Sequence, residues 1–335
     1  MSNSIYRWIK PFILMAFLFL LITNCARLSI EKKATSIQQP GATSGCRIIQ
    51  HRLGETCVPL KSQRIVALDI PAILDPLLSL GIKPVGMTVD YWGGERYFPV
   101  VLPEKVAGIE SVGKEGTPSL EKILMLKPDL ILMADYDKQY YKQLSTIAPT
   151  VLIDIYNVKA NIKENFQYIA QLVGQEDKAK EVLKQYQKRI EEFQKRLGKR
   201  LEEQEVSVIG YYVRNFWATP SSASPFQVLK DIGLPIKSLL LEQDEWSTFS
   251  IEIIDKYDAD ILFIVDSPNS PDTSTSYLFQ NPLILSLKAV NNGQAYIVDP
   301  KVWTFYGPIG MNLFLDDISK YLLEGKQDPY FHRRG

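Results

Sequence analysis

Aromatic and cationic side chains follow several predicted strands of this chain, where they could line a ligand-binding cleft. In open α/β sheets, ligands bind in crevices beyond the carboxyl ends of the strands. Aromatic rings pack on apolar ligand faces, and arginine holds carboxylate oxygens in a fork. The candidate contacts are Tyr91, Trp92, Arg96, Lys114 and Tyr136 in the first half and Arg214, Trp217, Trp303 and Tyr306 in the second. This set suits a bulky, negatively charged ligand, and the strongest candidates are Arg214, Trp217 and Trp303, although any single ring could instead serve packing.

The sequence contains no recognisable catalytic constellation. It has only two histidines, His51 and His332, and no Gly-rich phosphate loop, GxGxxG fingerprint or Gly-x-Ser-x-Gly elbow with a partner histidine. A protein that grips bare zinc or manganese usually needs several imidazole ligands. We therefore expect a binding protein without a metal site or cofactor of its own. A secreted α/β enzyme that uses carboxylate chemistry is the weaker alternative.

A glutamate recurs at the same place in a short motif in each half of the chain. Segments 119–123 and 250–254 both read Ser, apolar, Glu, any residue, Ile, with Glu121 and Glu252 in third place. Eight residues after each glutamate, an aspartate precedes four apolar residues. A glutamate in the first turn of a helix complements the helix dipole, which explains either one alone. It explains less easily why the motif occurs twice.

The pattern of apolar residues predicts an α/β fold with two lobes. Short apolar runs alternate with helical patterns in both halves, which is typical of βαβ units on parallel sheets. We expect an N-terminal lobe at 46–157 and a C-terminal lobe at 204–335, each a mainly parallel sheet flanked by helices. The helical segment between them, 158–203, includes a long helix at 177–203 with one apolar stripe. This helix is predicted to connect the lobes, although a solvated helix packed along one domain would show the same pattern.

The N-terminus has the layout of an export signal. Arg7 and Lys10 precede an unbroken apolar run at 12–22, which is short for a membrane span. Residues 21–25 look like a bacterial lipobox, in which Cys25 would be acylated, although Asn24 departs from the usual small residue before the cysteine. We therefore predict a signal peptide at 1–24 and a flexible, lipid-anchored tether at 25–45. An uncleaved anchor made from residues 8–22 is the alternative.

The two cysteines after the tether are expected to form a disulfide. Cys46 and Cys57 flank a turn-prone Leu-Gly-Glu segment, and an exported chain lies in an oxidising compartment. A bridge closing a small hairpin is the favoured interpretation. A metal site with His51 is the alternative, and it needs more ligands than this segment offers.

Several segments of the chain resemble the periplasmic binding proteins of ABC importers for ferric siderophores, the class that includes the vitamin B12 binder. The matching segments are 64–68, 77–86, 112–132 and 144–151, of which the Leu-Lys-Pro-Asp-Leu run at 126–130 is the most specific. The resemblance covers residues 46–325. Residues 46–59 are similar to a lead-in found in cyanobacterial members.

The resemblance implies a function and its partners. The ligand would be an iron(III)–siderophore complex whose own oxygens hold the metal, and the same fold binding cobalamin or haem stays open. In such proteins one glutamate on each lobe docks into an arginine pocket of the permease dimer, and Glu121 and Glu252 stand at the matching positions. We expect a monomer that is held as a lipoprotein on the periplasmic face of the inner membrane. Removing Arg7 and Lys10 with the signal changes the formal net charge from 0 to −2, which argues against a nucleic-acid partner.

Overall fold

The computed structural model describes residues 45–92, 95–97, 103–154, 161–199, 203–212, 215–266, 278 and 280–325. The predicted signal peptide at 1–24, the lipidation site Cys25, nearly all of the tether and the candidate ligand contact Arg214 lie outside these residues. Within the described ranges, no helix combines the length and the apolar character needed to cross a membrane.

The strands form a separate hairpin and two larger sheets. The hairpin and the first large sheet consist of β1 (Cys46–His51), β2 (Gly54–Pro59), β3 (Ile65–Ala67), β4 (Gly86–Trp92), β5 (Glu95–Tyr97), β6 (Glu110–Lys114), β7 (Thr117–Pro118), β8 (Leu130–Ala134) and β9 (Thr150–Ile153). The second large sheet consists of β10 (Val206–Tyr212), β11 (Asn215–Ala218), β12 (Ser247–Phe249), β13 (Ile261–Asp266) and β14 (Ala295–Val298).

The helices lie mostly between successive strands. They are α1 (Asp75–Ser79), α2 (Pro103–Val106), α3 (Leu120–Met125), α4 (Tyr141–Ile147), α5 (Ile162–Val173), α6 (Glu176–Leu197), α7 (Ser224–Ile232), α8 (Ser238–Leu241), α9 (Pro282–Leu285), α10 (Lys288–Asn291), α11 (Pro300–Trp303) and α12 (Pro308–Leu322). A π-helical turn, Ile70–Leu74, leads into α1, and 3-10 helices span Asp135–Tyr140 and Ile251–Tyr257.

The sheet of the N-terminal lobe is buried on both faces. Its strands run in the order β7-β6-β4-β3-β8-β9, with β5 paired to β4 outside this path. Five neighbouring strands are parallel, and only β5 and β7 are antiparallel. Alternate residues of β3 and the residue after it enter different layers, Ile65 and Ala67 on one face and Val66 and Leu68 on the other. Continuous apolar strands of this kind are expected where helices cover both faces of a parallel sheet.

The sheet of the C-terminal lobe is part parallel and part antiparallel. Its order is β12-β11-β10-β13-β14, in which β10, β13 and β14 are parallel and β11 and β12 are antiparallel. Only residues 213 and 214 separate β10 from β11, whereas a parallel crossover needs about a dozen residues. The connection length therefore requires a hairpin at this edge. The α/β class and the mixed, largely parallel sheets agree with the fold expected from the sequence.

The long helix α6 contacts elements on both sides of it. It begins at Glu176 and ends at Leu197, short of the predicted end at 203, because Gly198 terminates it with a positive φ of 56°. It packs against α5, α7 and α12. The hydroxyl of Tyr186 donates to Asp231 of α7 at 2.8 Å, and Arg189 donates to the Asn312 side chain of α12 at 2.7 Å.

The last helix, α12, was not predicted from the sequence, and it links the end of the chain to the N-terminal lobe. The carboxylate of Asp75 in α1 accepts hydrogen bonds from the backbone N–H groups of Ile309 (2.9 Å) and Gly310 (2.8 Å) in the first turn of α12. Ser79 donates a third bond at 3.1 Å. Asp75 is fully buried, and a Cβ at Gly307 would come within 2.4 Å of its carboxyl carbon. Two segments that lie more than two hundred residues apart are thus joined by one side chain.

Candidate functional site

The carboxyl ends of the N-terminal strands meet around Asp69, which follows β3. Its carboxylate accepts the backbone N–H of Ala72 at 2.6 Å and thereby caps the π-helical turn. Tyr136, which follows β8, donates its hydroxyl to Asp69 at 2.9 Å and to the Leu68 carbonyl at 3.1 Å. Burial and the Asp69 charge together raise the pKa of Tyr136 well above its usual range. The predicted contact Tyr136 is therefore fixed at the strand ends, with its hydroxyl already engaged.

Two further carboxyl groups adjoin Asp69. Glu115 follows β6 and accepts the backbone N–H of Ile70 at 3.0 Å. Burial, followed by the charge of Asp69, raises the pKa of Glu115 to about 8. Burial and Asp69 likewise raise the pKa of Asp137 to about 7, opposed in part by the nearby Gly116 amide. Asp137 is fully buried, and neither of its oxygens makes a hydrogen bond of ordinary geometry within the described part of the chain.

We predict that Glu115 makes the stability of the protein fall as the pH rises from about 4.5 to about 8. Its pKa in the folded state, about 8, lies above the ordinary value of 4.5, so in this range the folded state binds the proton more tightly than the unfolded chain. Glu115→Gln removes the titrating group but keeps an acceptor for Ile70. Urea unfolding should show the variant gaining stability relative to wild type between pH 5 and pH 8. A difference that is constant with pH, or equal to that of the exposed control Glu110→Gln at the start of β6, would contradict the prediction.

The C-terminal lobe contributes Tyr306 to the same region. Burial, and then the charge of Asp69, raises the pKa of Tyr306 to about 12. Because such an effect weakens with distance, Tyr306, which follows α11, lies within electrostatic range of Asp69. Asp69 thus influences the pKa of both predicted contacts, Tyr136 and Tyr306.

Trp217 lies flat against the C-terminal sheet. It stands in β11 opposite Gly210 of β10. A Cβ at position 210 would lie 1.8 Å from the indole ring, so only glycine leaves room for the ring there. The tryptophan is half-buried, so part of its surface stays exposed.

Trp303, one of the three strongest candidates from the sequence, is instead a core residue in the structure. Only 2% of its surface is exposed. Its ring packs on Phe263 and Phe314, and its indole N–H donates to Asp317 at 2.9 Å. Because both the ring and its polar group are engaged, Trp303 supports α11 and α12 and offers no surface to a ligand here.

The remaining candidate contacts lie at the strand ends of the N-terminal lobe. Tyr91 at the end of β4 is 44% exposed, and Lys114 at the end of β6 is also exposed. Trp92 and Arg96 occupy the paired strands β4 and β5, where Tyr91 stands opposite Arg96. The described side chains that interact with Asp69 thus include two carboxyl groups, Glu115 and Asp137, which the sequence did not single out as ligand contacts.

The two repeated glutamates are exposed in equivalent settings. Glu121 lies in the first turn of α3, and Glu252 in the first turn of the 3-10 helix at Ile251–Tyr257. The aspartates that follow them explain the rest of the repeat. Asp129 accepts the backbone N–H of Arg64 just before β3 (2.9 Å), and Asp260 accepts that of Glu205 just before β10 (2.9 Å). Each aspartate thus fixes the entry to a central strand, whereas each exposed glutamate is explained only by its place in the first turn of a helix.

The predicted hairpin and disulfide are confirmed, because Cys46 of β1 is joined to Cys57 of β2. The Nε2 atom of His51 lies 2.9 Å from the Thr56 hydroxyl, and burial lowers the pKa of the imidazole. Across the described ranges, no group of three or more His, Cys, Asp or Glu side chains is arranged to hold a metal ion.

Comparison with known proteins finds similarity along almost the whole chain. A family model described as periplasmic binding protein matches residues 94–302. A probable siderophore-binding lipoprotein, YfiY of Bacillus subtilis (strain 168), is 32% identical over 331 residues, covering 95% of this chain and 100% of the relative. The Fe(3+)-citrate-binding protein YfmC of the same organism is 35% identical over 265 residues, covering 77% of this chain and 80% of the relative. The crystal structure of Staphylococcus aureus SirA complexed with staphyloferrin B is 28% identical with a TM-score of 0.69, covering 83% of this chain and 98% of that one.

Proposed function

Since this chain belongs to the periplasmic binding protein family, we propose that it captures a ferric siderophore outside the cytoplasm and delivers it to an ABC permease for iron uptake. The observation that carries the proposal is the similarity over 95% of the chain to a probable siderophore-binding lipoprotein. The chain is a binding protein and not an enzyme. Iron is the cargo, held by the oxygens of the siderophore.

The geometry at the strand ends supports a ligand rich in oxygen atoms. A carboxyl group whose pKa is raised to about 8 or about 7, as for Glu115 and Asp137, carries a proton for much of the time at neutral pH and can donate it in a hydrogen bond. Tyr91 and Trp217 supply aromatic surface for the apolar parts of the ligand, and Lys114 supplies a cation. Arg96 and Arg214 complete the proposed set of contacts, together with Trp92, Tyr136 and Tyr306.

We predict that a ferric siderophore changes the tryptophan fluorescence of the purified mature protein saturably. Ferric citrate, a ferric hydroxamate and a ferric catecholate are titrated in parallel with cobalamin and haem. Trp217→Phe should reduce the signal, whereas Trp246→Phe, which alters a tryptophan that is 63% exposed, should leave it unchanged. If only cobalamin or haem bound saturably, that compound would be the ligand in place of a ferric siderophore.

The same assignment supports a location outside the cytoplasm. We propose that Cys25 is acylated after removal of residues 1–24, and that the chain acts as a monomer in the periplasm, tethered to the outer face of the inner membrane. The lipoprotein name of YfiY supports this. Intact mass of the membrane-extracted protein should equal residues 25–335 plus the lipid, whereas a mass that includes residues 1–24 would favour an uncleaved anchor.

A further inference from the structure

The helix that carries Glu121 exposes two large apolar side chains on the same face. Leu124 is 59% exposed and Met125 is 74% exposed, and Glu121 beside them is exposed as well. Residues three and four positions apart are neighbours on a helix surface. Glu121, Leu124 and Met125 therefore form one contiguous patch, called here the Glu121 face.

The Glu121 face is held rigidly from both ends and from beneath. Ser119 caps α3 by accepting the backbone N–H of Lys122 at 3.4 Å. The guanidinium of Arg64 donates to the carbonyls of Leu126 and Lys127 at the other end, each at 3.1 Å. Ile123, on the opposite face, is fully buried. A surface that is already ordered loses little conformational entropy when a partner binds it.

We propose that Leu124 and Met125 bind the extracellular surface of the permease, next to the cation that receives Glu121. This inference rests on the proposed function and extends the docking contact beyond the glutamate itself. Methionine is enriched at protein interfaces, and apolar neighbours that exclude water strengthen a charged pair. The partner surface would thus carry a cation bordered by apolar side chains.

The charges on the Glu121 face disfavour the other possible occupants. A two-fold contact with a second copy would bring the same patch of both chains together, and with it the two Glu121 carboxylates. Lys122 would not readily offset them, because its ammonium donates to the Ser111 carbonyl at 3.2 Å. Insertion into lipid would bury the Glu121 carboxylate with its apolar neighbours and leave it unpaired, which is costly.

The C-terminal lobe does not repeat this arrangement on its own helix. The residues three and four positions after Glu252 are Asp255 and Lys256, and both are exposed. Trp246, an exposed apolar residue, is separated from Glu252 by the whole of β12. The apolar contact therefore belongs to the permease half that meets the N-terminal lobe.

The test replaces the apolar pair by a polar pair of similar size and helix propensity, Leu124→Gln with Met125→Gln. Siderophore uptake is measured in cells that depend on this chain, and ligand affinity is measured on the purified protein. The matched control is Leu60→Gln, which changes a leucine that is 47% exposed and lies near Gly174, at the end of α5 on the other side of the sheet. Uptake should fall at least about tenfold in the double variant. It should stay within about twofold in the control, with ligand affinity unchanged in both.

Unchanged uptake in the double variant would overturn the inference, as would a parallel loss of ligand affinity. If sedimentation showed that the wild-type protein is a dimer and that the double variant is a monomer, the apolar pair would instead serve self-association. Co-sedimentation with phosphatidylglycerol vesicles would overturn the inference in favour of lipid if only the wild type bound. The Glu121→Ala/Glu252→Ala variant distinguishes failure of the docking proposal from failure of the apolar contact. Normal uptake in this variant would reject docking through the glutamates. Loss of uptake in this variant, with normal uptake in the Leu124→Gln/Met125→Gln variant, would reject only the apolar contact.

Discussion

Replacing Glu121 and Glu252 together by alanine is expected to abolish siderophore uptake in cells without changing the affinity for the ligand in solution. Both carboxylates are exposed, one on each lobe, and neither belongs to the group around Asp69. Their removal takes the charge from both proposed docking sites at once, whereas each single variant keeps one proposed contact and should retain part of the uptake. Radiolabelled iron uptake and tryptophan fluorescence titration measure the two properties separately.

The matched control for this double variant is Glu110→Ala with Glu324→Ala, which removes one exposed glutamate from each lobe outside the repeated motif. Uptake in the control should equal that of wild type. If ligand affinity fell in the Glu121/Glu252 variant, the two glutamates would belong to the cleft, and docking would have to be reassigned to other residues.

The second large effect is expected on stability, from Asp75→Ala. The substitution leaves two backbone N–H groups of α12 without their acceptor, those of Ile309 and Gly310, in a buried contact. An unsatisfied buried donor costs about 1–3 kcal/mol, so we expect a loss of about 2–5 kcal/mol in the free energy of unfolding. Urea denaturation followed by circular dichroism measures this directly.

A graded series distinguishes the loss of these bonds from a general packing defect. Ser79→Ala removes only one of the three bonds to Asp75 and should cost about 0.5–1.5 kcal/mol. Gly307→Ala keeps every partner but places a methyl group against the Asp75 carboxylate, so it should also destabilise the protein. If the free energy of unfolding of Asp75→Ala lay within about 0.5 kcal/mol of the wild-type value, the contact would contribute little to the stability of α12.

The central strands could be read from the sequence because their signal is local. The runs at 130–133 and 261–265 are continuous and apolar, and they appear as β8 and β13 with ends shifted by one residue. The hairpin β10–β11 and the helix α12 could not be predicted so easily. The hairpin depends on a short connection that carries no special signal, and the position of α12 depends on Asp75, which precedes it by more than two hundred residues.

The candidate site was predicted in part, for a related reason. Tyr136 follows β8 as the strand-end rule predicts, whereas Trp217 lies within the antiparallel strand β11 and Trp303 packs in the core. Asp69, Glu115 and Asp137 were missed because a lone acidic residue in a loop after a strand carries no distinctive signal, and Asp69 does cap the π-helical turn. Their proximity arises only when β6, β4, β3 and β8 lie in this order in the sheet.

The position of the disulfide has a mechanical consequence for a chain held at its N-terminus. Any pull that arrives through residue 45 is applied to Cys46, at the open end of the hairpin, where Cys46 is paired with Pro59. Without the disulfide, a pull in this geometry would break the hydrogen bonds between β1 and β2 one pair at a time. The covalent bond to Cys57 passes the load directly to β2, so the hydrogen bonds between β1 and β2 on the turn side of the bridge do not carry it. The hairpin therefore stays closed under a pull that would otherwise open it.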